Sequence, residues 1–361
     1  MPRRNIAVLF GSASPEYEVS LKSAYHVITH LAKYHPLLIG INKSGEWFHF
    51  TGSPEMLLDN TWQNPFDCNK AVISPDCRTR GVLIFKQGFI ETIRLDAALP
   101  VIHGKNGEDG TIQGLLELAG IPIIGSGSLA SALCMDKDKA HKIVEAAGVR
   151  VPRSFVVNTQ TPLETSLLKA MQIRYPLFVK PLRAGSSIGI TKAFNQDCLK
   201  EAIELALSFD DEAIIEETIE GFEVGSAILE AGNKILIGEV DEVELAGGFF
   251  DYEEKYTLKT SRIHVPARIS TKKAQEIKEA AKTIYRALGC SGFARVDMFL
   301  TPDETIVFNE VNTIPGFTQH SRYPRILNAA GITFEQLVST LVENAAQTRQ
   351  RDLRERVPAY A

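Results

Sequence analysis

The chain has 361 residues, 44% of them apolar and 23% charged, with a formal net charge of −5. That length allows two or three domains with ordinary cores. No basic run suggests nucleic acid, and no apolar stretch is long enough to span a bilayer. Five cysteines, an odd number without a C-x-x-C pair, read as the reduced thiols of a cytoplasmic protein.

The opening MPRRNIAVLFGSAS has too short an apolar run, Ile6 to Phe10, for a secretory signal. It reads as the first strand of an α/β sheet, followed by a loop and an amphipathic helix from Glu18 to Tyr34. A strand at 36–41 comes next, then an irregular stretch holding Trp47 and Trp62. Ala97 to His103 is a further strand, leading through the loop Gly104 to Gly110 into a helix and the strand Ile121–Ile124. This alternation predicts a doubly wound parallel first domain ending near residue 128.

A helix from Lys137 to Ala147 precedes strands at Phe155–Val157 and Leu177–Lys180. A glycine-serine loop (184–189), a strand to Ala193, a helix (197–209) and the strand Ala213–Thr218 follow. After the turn at Glu220-Gly221, a strand runs from Glu223 to Leu229. Residues 241–260 are polar and aromatic without a regular period, the pattern of a functional lid or of a disordered loop. Beyond a helix at 272–288, GFARVDMFLTPDETIVFNEVNTIPGF reads as a hairpin, and a helix at 333–345 precedes a charged tail.

Strand arithmetic gives the hairpin chemical content. With Leu300 opposite Thr305, Asp297 faces Phe308 and Arg295 faces Glu310. Arg295, Asp297, Glu310 and Asn312 then share one face. Asp297 and Glu310 become diagonal neighbours roughly 7–8 Å apart. Two carboxylates and an amide beside a guanidinium suit a Mg–phosphate platform, and suit a surface ion-pair ladder as well. The loop at 184–189, entered from Lys180, could admit phosphate oxygens, yet it is no Walker A loop. Glu216, Glu217 and Glu223 flank the next turn, as ribose or adenine partners or as a solvated edge. His103 ends a parallel strand, where ligands bind. Glu18 stands at a helix start, where a carboxylate also complements the dipole.

Together these segments resemble the ATP-grasp ligases, and within them the D-alanine–D-alanine ligase family. The resemblance rests on GSASPEYEVSL, HGKNGEDGTIQG, MDKDK, FVKPLRAGSSIGI, EETIEGFEV, FFDYEEKYTLK, GCSGFARVDMF and FNEVNTIPGFTQHSRYP, in that order. It implies a mixed α/β, three-domain ATP-grasp fold with an N-terminal doubly wound sheet. The expected units are 1–128, a central lid domain at 129–218, a catalytic domain at 219–346 and a frayed tail at 347–361. It also implies a ligase that uses ATP and two Mg²⁺ ions, with Mn²⁺ able to substitute. Lys137, Lys180, Glu216, Glu217 and Glu223 are then the ATP residues, and Asp297, Glu310 and Asn312 the metal ligands. Glu18 would take the ammonium of the first D-alanine with Ser186 and Tyr256, and His103 would lie near the same substrate. Arg295 and the Gly316 N–H would face the developing oxyanion. Small-molecule substrates, no nucleic acid or membrane partner and a homodimer complete the expectation. A ligase of the glutathione-synthetase kind or a non-catalytic ATP-binding module are the rival classes.

The acceptor is the finer question. Ser321-Arg322-Tyr323-Pro324 replaces the usual Ser-Leu of housekeeping enzymes, and Ala184 stands where they often carry an acid. Both features resemble the ligases of vancomycin-resistance clusters. Glu254-Lys255-Tyr256, preceded by Phe249-Phe250, resembles the D-serine branch, since the lactate branch places a histidine there. The Lys255 charge would help an amine acceptor shed its proton. Arg322 or the Phe250 backbone would partner a serine hydroxyl. D-Serine is the expected acceptor, with D-alanine the alternative.

Overall fold

The computed structural model describes residues 3–160, 172–185, 188–245 and 261–355, without the side chains of 245, 261 and 346–355. Three sheets organise it. The first has seven strands in the order β6-β5-β4-β3-β2-β1-β7. Its strands are β1 (Asn5–Gly11), β2 (His35–Ile41), β3 (Trp47–Phe50), β4 (Cys68–Ile73), β5 (Gly81–Lys86), β6 (Phe89–Arg94) and β7 (Ala97–Val101). β2, β1 and β7 are parallel, with a parallel bridge from Ala98 to Ile123, as the β-loop-α-β pattern predicts. The other half corrects the expectation of a wholly parallel sheet: the stretch read as irregular supplies antiparallel β3 to β6. Helix α1 (Tyr17–Thr29) is shorter than predicted, stopping at His30. Trp62 is fully buried, and its indole N–H donates to the Tyr17 hydroxyl at 2.8 Å.

The second sheet is antiparallel, β10-β9-β11-β8, from β8 (Ser154–Asn158), β9 (Leu177–Pro181), β10 (Thr191–Ala193) and β11 (Glu212–Glu217). Helix α5 (Gln196–Leu207) covers it, its N-terminus held by the Asn195 side chain. The third sheet, β14-β13-β12-β15-β16, contains β12 (Phe222–Ala231), β13 (Lys234–Leu245), β14 (Ser261–His264), β15 (Phe293–Leu300) and β16 (Ile306–Asn312). Residues 241–245, expected to open an irregular lid, are therefore strand, and 246–260 lie outside the described residues.

Helices α2 (Thr111–Leu118), α3 (Ser128–Met135) and α4 (Lys137–Ala146) lead out of the first sheet. Cys134, Ala140 and Val144 of α3 and α4 join Ile277 and Ile284 of α6 (Thr271–Ala287) in one core against β15 and β16. On the opposite face, α7 (Arg322–Ala329) and α8 (Phe334–Glu355) share a core with α1 and β1. The first and third sheets are thus fastened by continuous apolar packing.

Candidate active site

The β15–β16 hairpin differs from the predicted pairing in an instructive way. The Thr301 N–H donates to the Thr305 carbonyl at 3.0 Å, closing a three-residue loop in which Glu304 has φ 61°. Leu300 consequently faces Ile306. Continued unbroken, that register would turn Glu310 and Asn312 away from Asp297. Asn309 is an extra residue between the pairs Met298–Phe308 and Asp297–Glu310, and this bulge restores the shared face. Asp297 lies directly opposite Glu310, and Arg295 opposite Asn312. The four residues do converge, through a bulge that the arithmetic lacked.

Asp297 is almost wholly buried, and Arg295 grips it with Nε at 2.8 Å from Oδ1 and a terminal nitrogen at 2.7 Å from Oδ2. The Asn312 amide donates to Oδ2 at 3.0 Å. Burial lowers the Arg295 pKa, but the Asp297 charge outweighs it, so the guanidinium stays charged. The row continues across the sheet: Gly225 of β12 pairs with both Asp297 and Asp241. Arg322 fills the space above Gly225, with Nε 2.8 Å from Asp241 Oδ2 and a terminal nitrogen 2.8 Å from Oδ1. It also donates to Glu223 and lies 3.4 Å from Asp297. Arg322 is therefore neither a surface ion pair nor a free pocket wall. It stands among three acids at the foot of the platform.

Beside this platform, a cavity of about 620 Å³ opens between the second and third sheets, and Lys137, Lys180, Glu216, Glu217, Glu223 and Glu310 all line it. Lys180 Nζ lies 2.7 Å from Glu216 Oε2. Burial raises the Glu216 pKa, yet Lys180, His141 and Lys137 outweigh it and hold the carboxyl below its usual value. Lys137, first residue of α4, donates to the Ala184 carbonyl at 2.7 Å and so tethers the glycine-serine loop. Glu217 receives the Arg153 Nε at 2.8 Å at the cavity's outer rim.

The N-terminal sheet brings a carboxylate that the sequence reading missed. Glu18 lies on the exposed side of α1, 2.5 Å from Lys43 Nζ. Glu16 precedes the helix and is buried, its Oε2 within 2.5 Å of where a Gly104 Cβ would stand and 3.5 Å of a Gly185 Cβ. The two acids are two residues apart, and only the helix start between them decides which turns inward. His103 is buried with both ring nitrogens engaged, Nδ1 at 2.9 Å from the Ile314 carbonyl and Nε2 at 3.1 Å from Ser23 Oγ. Burial pulls its pKa below the ordinary value. Gly316 lies between Ile314 and Ser321, and the Ser321 hydroxyl caps the turn by accepting from Thr318 N–H at 3.1 Å. Ser186, Phe250, Lys255 and Tyr256 lie outside the described residues.

Asp297, Glu310 and the Asn312 carboxamide form an oxygen-only donor set on one face, the chemistry that suits Mg²⁺ or Mn²⁺. Asp297 Oδ1 accepts from Arg295 Nε, and Oδ2 from an Arg295 terminal nitrogen and the Asn312 amide, so the carboxylate is held in one orientation on that face. The adjoining cavity falls within the size range of nucleotide-binding clefts. The donor set therefore fits a metal–phosphate site.

A cleft between two antiparallel sheets, lined by Lys137, Lys180 and carboxylates from both sheets, is the arrangement of an ATP-grasp ligase. Residues 5–126 match the D-ala D-ala ligase N-terminus model, and residues 143–343 the D-ala D-ala ligase C-terminus model. The chain belongs to the D-alanine–D-alanine ligase family, whose members are ATP-dependent. It is 41% identical to a putative D-alanine–D-lactate ligase of Streptomyces coelicolor, over 97% of this chain and all of that protein. It is 38% identical to a D-alanine–D-alanine ligase of Caldicellulosiruptor bescii, over 97% of each chain. The crystal structure of VanG D-Ala:D-Ser ligase from Enterococcus faecalis superposes with a TM-score of 0.87 at 51% identity, covering 95% of this chain and 99% of that one. No helix among the described residues is long and apolar enough to cross a membrane.

Proposed function

We propose that this ligase joins D-alanine to D-serine for peptidoglycan precursors, cleaving ATP to ADP and phosphate through a D-alanyl phosphate. The observation that carries the acceptor assignment is the buried Asp241–Arg322 pair beside the platform. A buried ion pair is seldom retained for stability alone, because apolar residues of similar volume serve as well. A serine hydroxyl can donate to Asp241 or accept the remaining Arg322 N–H, whereas the methyl group of D-alanine can do neither. The 51% identity with the VanG D-Ala:D-Ser ligase points the same way.

In this reading Asp297, Glu310 and Asn312 would hold two Mg²⁺ ions, which would supply neutralisation of phosphate charge. Glu16, in place of Glu18, receives the D-alanine ammonium. The D-alanine carboxylate oxygen attacks the γ-phosphorus and ADP leaves, with Lys137 and Lys180 on the phosphates and Glu216, Glu217 and Glu223 toward the nucleoside. The acceptor arrives as a free amine and attacks the acyl carbon, and phosphate leaves. Arg295 and the Gly316 N–H stabilise the oxyanion of that step. Ser186 and Tyr256 are assigned to the ammonium side with Glu16, and Lys255, Phe250 and Ser321 to the acceptor side. The three domains divide near residues 128 and 218. A homodimer in the cytoplasm is part of the same proposal.

D-Alanine as acceptor is the second reading. It is favoured by the extent to which Asp241 and Glu223 already occupy the Arg322 guanidinium. Equimolar D-alanine and D-serine, supplied with ATP and Mg²⁺ at neutral pH, separate the two when the dipeptides are resolved by mass. Dominant D-alanyl-D-serine is expected. Dominant D-alanyl-D-alanine overturns the acceptor and leaves the ligase intact.

A further inference from the structure

We infer that Ser23 and Glu108 are positioning residues for acyl transfer: through four hydrogen bonds shared with His103, they fix the backbone on both sides of Gly316. The inference rests on the role proposed above for the Gly316 N–H.

The hydrogen-bond directions follow from the groups present. The Ile314 carbonyl can only accept, so His103 Nδ1 carries the proton and donates to it at 2.9 Å. His103 Nε2 is then bare and must accept, so the Ser23 hydroxyl donates to it at 3.1 Å. That leaves the Ser23 oxygen free to accept the Phe317 N–H at 3.3 Å. On the other side, the Ile314 N–H donates to Glu108 Oε1 at 3.2 Å, while Glu108 Oε2 accepts the Gly104 N–H at 2.8 Å. Ile314 is thus held by both its N–H and its carbonyl, and Phe317 by its N–H. Between them stand only Pro315, whose ring restricts φ, and Gly316.

Apolar packing completes the vice. The Phe317 ring stacks on Tyr323 at 5.7 Å and meets Phe293 edge-on at 5.3 Å. Ser23 is fully buried on α1, and Glu108 lines a small cavity with Glu310 and Asn312. The first sheet therefore contributes more than the substrate carboxylate Glu16. It aims the peptide plane that carries the Gly316 N–H. A preorganised donor is effective only when its direction is fixed before charge develops, which gives a catalytic reason for so many bonds on so short a segment.

The test compares the wild-type enzyme with Ser23→Ala, Glu108→Gln and the double variant. Ser23→Ala removes one buried hydroxyl. Glu108→Gln keeps the shape and turns one acceptor into a donor facing an N–H. Measured for each are dipeptide kcat, KM for ATP, affinity for a non-hydrolysable ATP analogue with Mg²⁺, and thermal midpoint. We expect kcat to fall about ten- to hundredfold in each single variant, with analogue affinity within about twofold of wild type. The double variant should lose less than the product of the two, because both act on one segment. Single variants with kcat within about twofold of wild type overturn the inference. So does a kcat loss matched by equal losses of analogue affinity and thermal midpoint, since that marks a general structural defect. A wild-type enzyme that forms no dipeptide refutes instead the ligase reading on which the inference rests.

Discussion

Gly225 and Arg322 share one volume: a Cβ on Gly225 would lie 2.5 Å from a guanidinium nitrogen of Arg322. It would also stand 2.6 Å from Asp241 Oδ1 and 3.0 Å from Asp297 Oδ1. The absent side chain is what lets one cation reach the acids on both neighbouring strands. Gly225→Ala must therefore displace Arg322 or bend β12. We expect a loss of about 1–3 kcal/mol in stability from overpacking. The shifted platform should cost roughly a hundredfold in kcat, as ångström-scale misplacement does. A thermal melt and a ligase assay check both, and a variant with wild-type values would show that Arg322 can sit elsewhere.

Glu16 and Glu18 give a direct contrast. Glu16→Gln removes a buried carboxylate at the meeting point of Gly104 and Gly185. Charge-assisted hydrogen bonds are worth ~1.5–3 kcal/mol, so kcat/KM for D-alanine should drop about ten- to hundredfold. Glu18→Gln breaks only an exposed pair with Lys43 and should leave kcat/KM unchanged. Equal losses in the two variants would return the ammonium site to open question.

Much of this was legible in the sequence, and the misses have physical causes. The apolar runs of β1, β2 and β7 announced themselves because parallel strands are buried on both faces. The shared face of Arg295, Asp297, Glu310 and Asn312 was also readable, since period-two alternation is a property of any strand. The Asn309 bulge was not, because one extra residue leaves the local composition unchanged. Two acids astride a helix start carry the same signal, so Glu16 was hidden behind Glu18. Asp241 and Arg322 look like ordinary charged residues in sequence, and only tertiary pairing buries them together. Glu108 was noticed only as part of a loop, because its partner Ile314 lies about two hundred residues on.

The bulge makes a sharp prediction of its own. Deleting Asn309 should let β16 continue in the register set by Leu300–Ile306, turning Glu310 and Asn312 to the opposite face. Mg²⁺-dependent nucleotide binding and turnover should both disappear, while circular dichroism still reports a folded chain. Alanine in place of Asn309 keeps the extra residue and should retain the metal dependence. If the deletion kept normal turnover, the convergence of those side chains would not be what the reaction uses.

Arg295 serves Asp297 as well as the oxyanion. Arg295→Ala removes its bidentate partner from a carboxylate that is almost wholly buried. Losing one oxyanion donor typically costs ~3–4 kcal/mol, so turnover should fall by about two decades or more. Breaking a buried pair should also lower stability by roughly 3–5 kcal/mol. Arg295→Lys restores charge without the fork and should recover stability more than rate. Near-normal turnover in the alanine variant would remove Arg295 from the chemistry.

His103 supplies the pH test. Burial depresses its pKa in the folded protein, against the raising influence of Glu16 and the Ile314 hydrogen bond, while Arg295 depresses it further. Above about pH 6.5 the imidazole is neutral in both folded and unfolded chains and contributes no pH dependence. As pH falls through that value the unfolded chain takes up the proton first. Stability is therefore lost on the acid side, down to the folded-state pKa, and changes no further below it. His103→Gln should flatten this slope without abolishing it, because burial also depresses His49 and His141. Melts at several pH values between about 7.5 and 5 measure it. An unchanged slope in the variant would mean that folding does not depress the His103 pKa, and a steeper one that His103 is protonated in the native enzyme. In that last case His103 Nε2 would donate to the Ser23 hydroxyl, reversing that one hydrogen bond and leaving those of Ile314 and Phe317 as assigned.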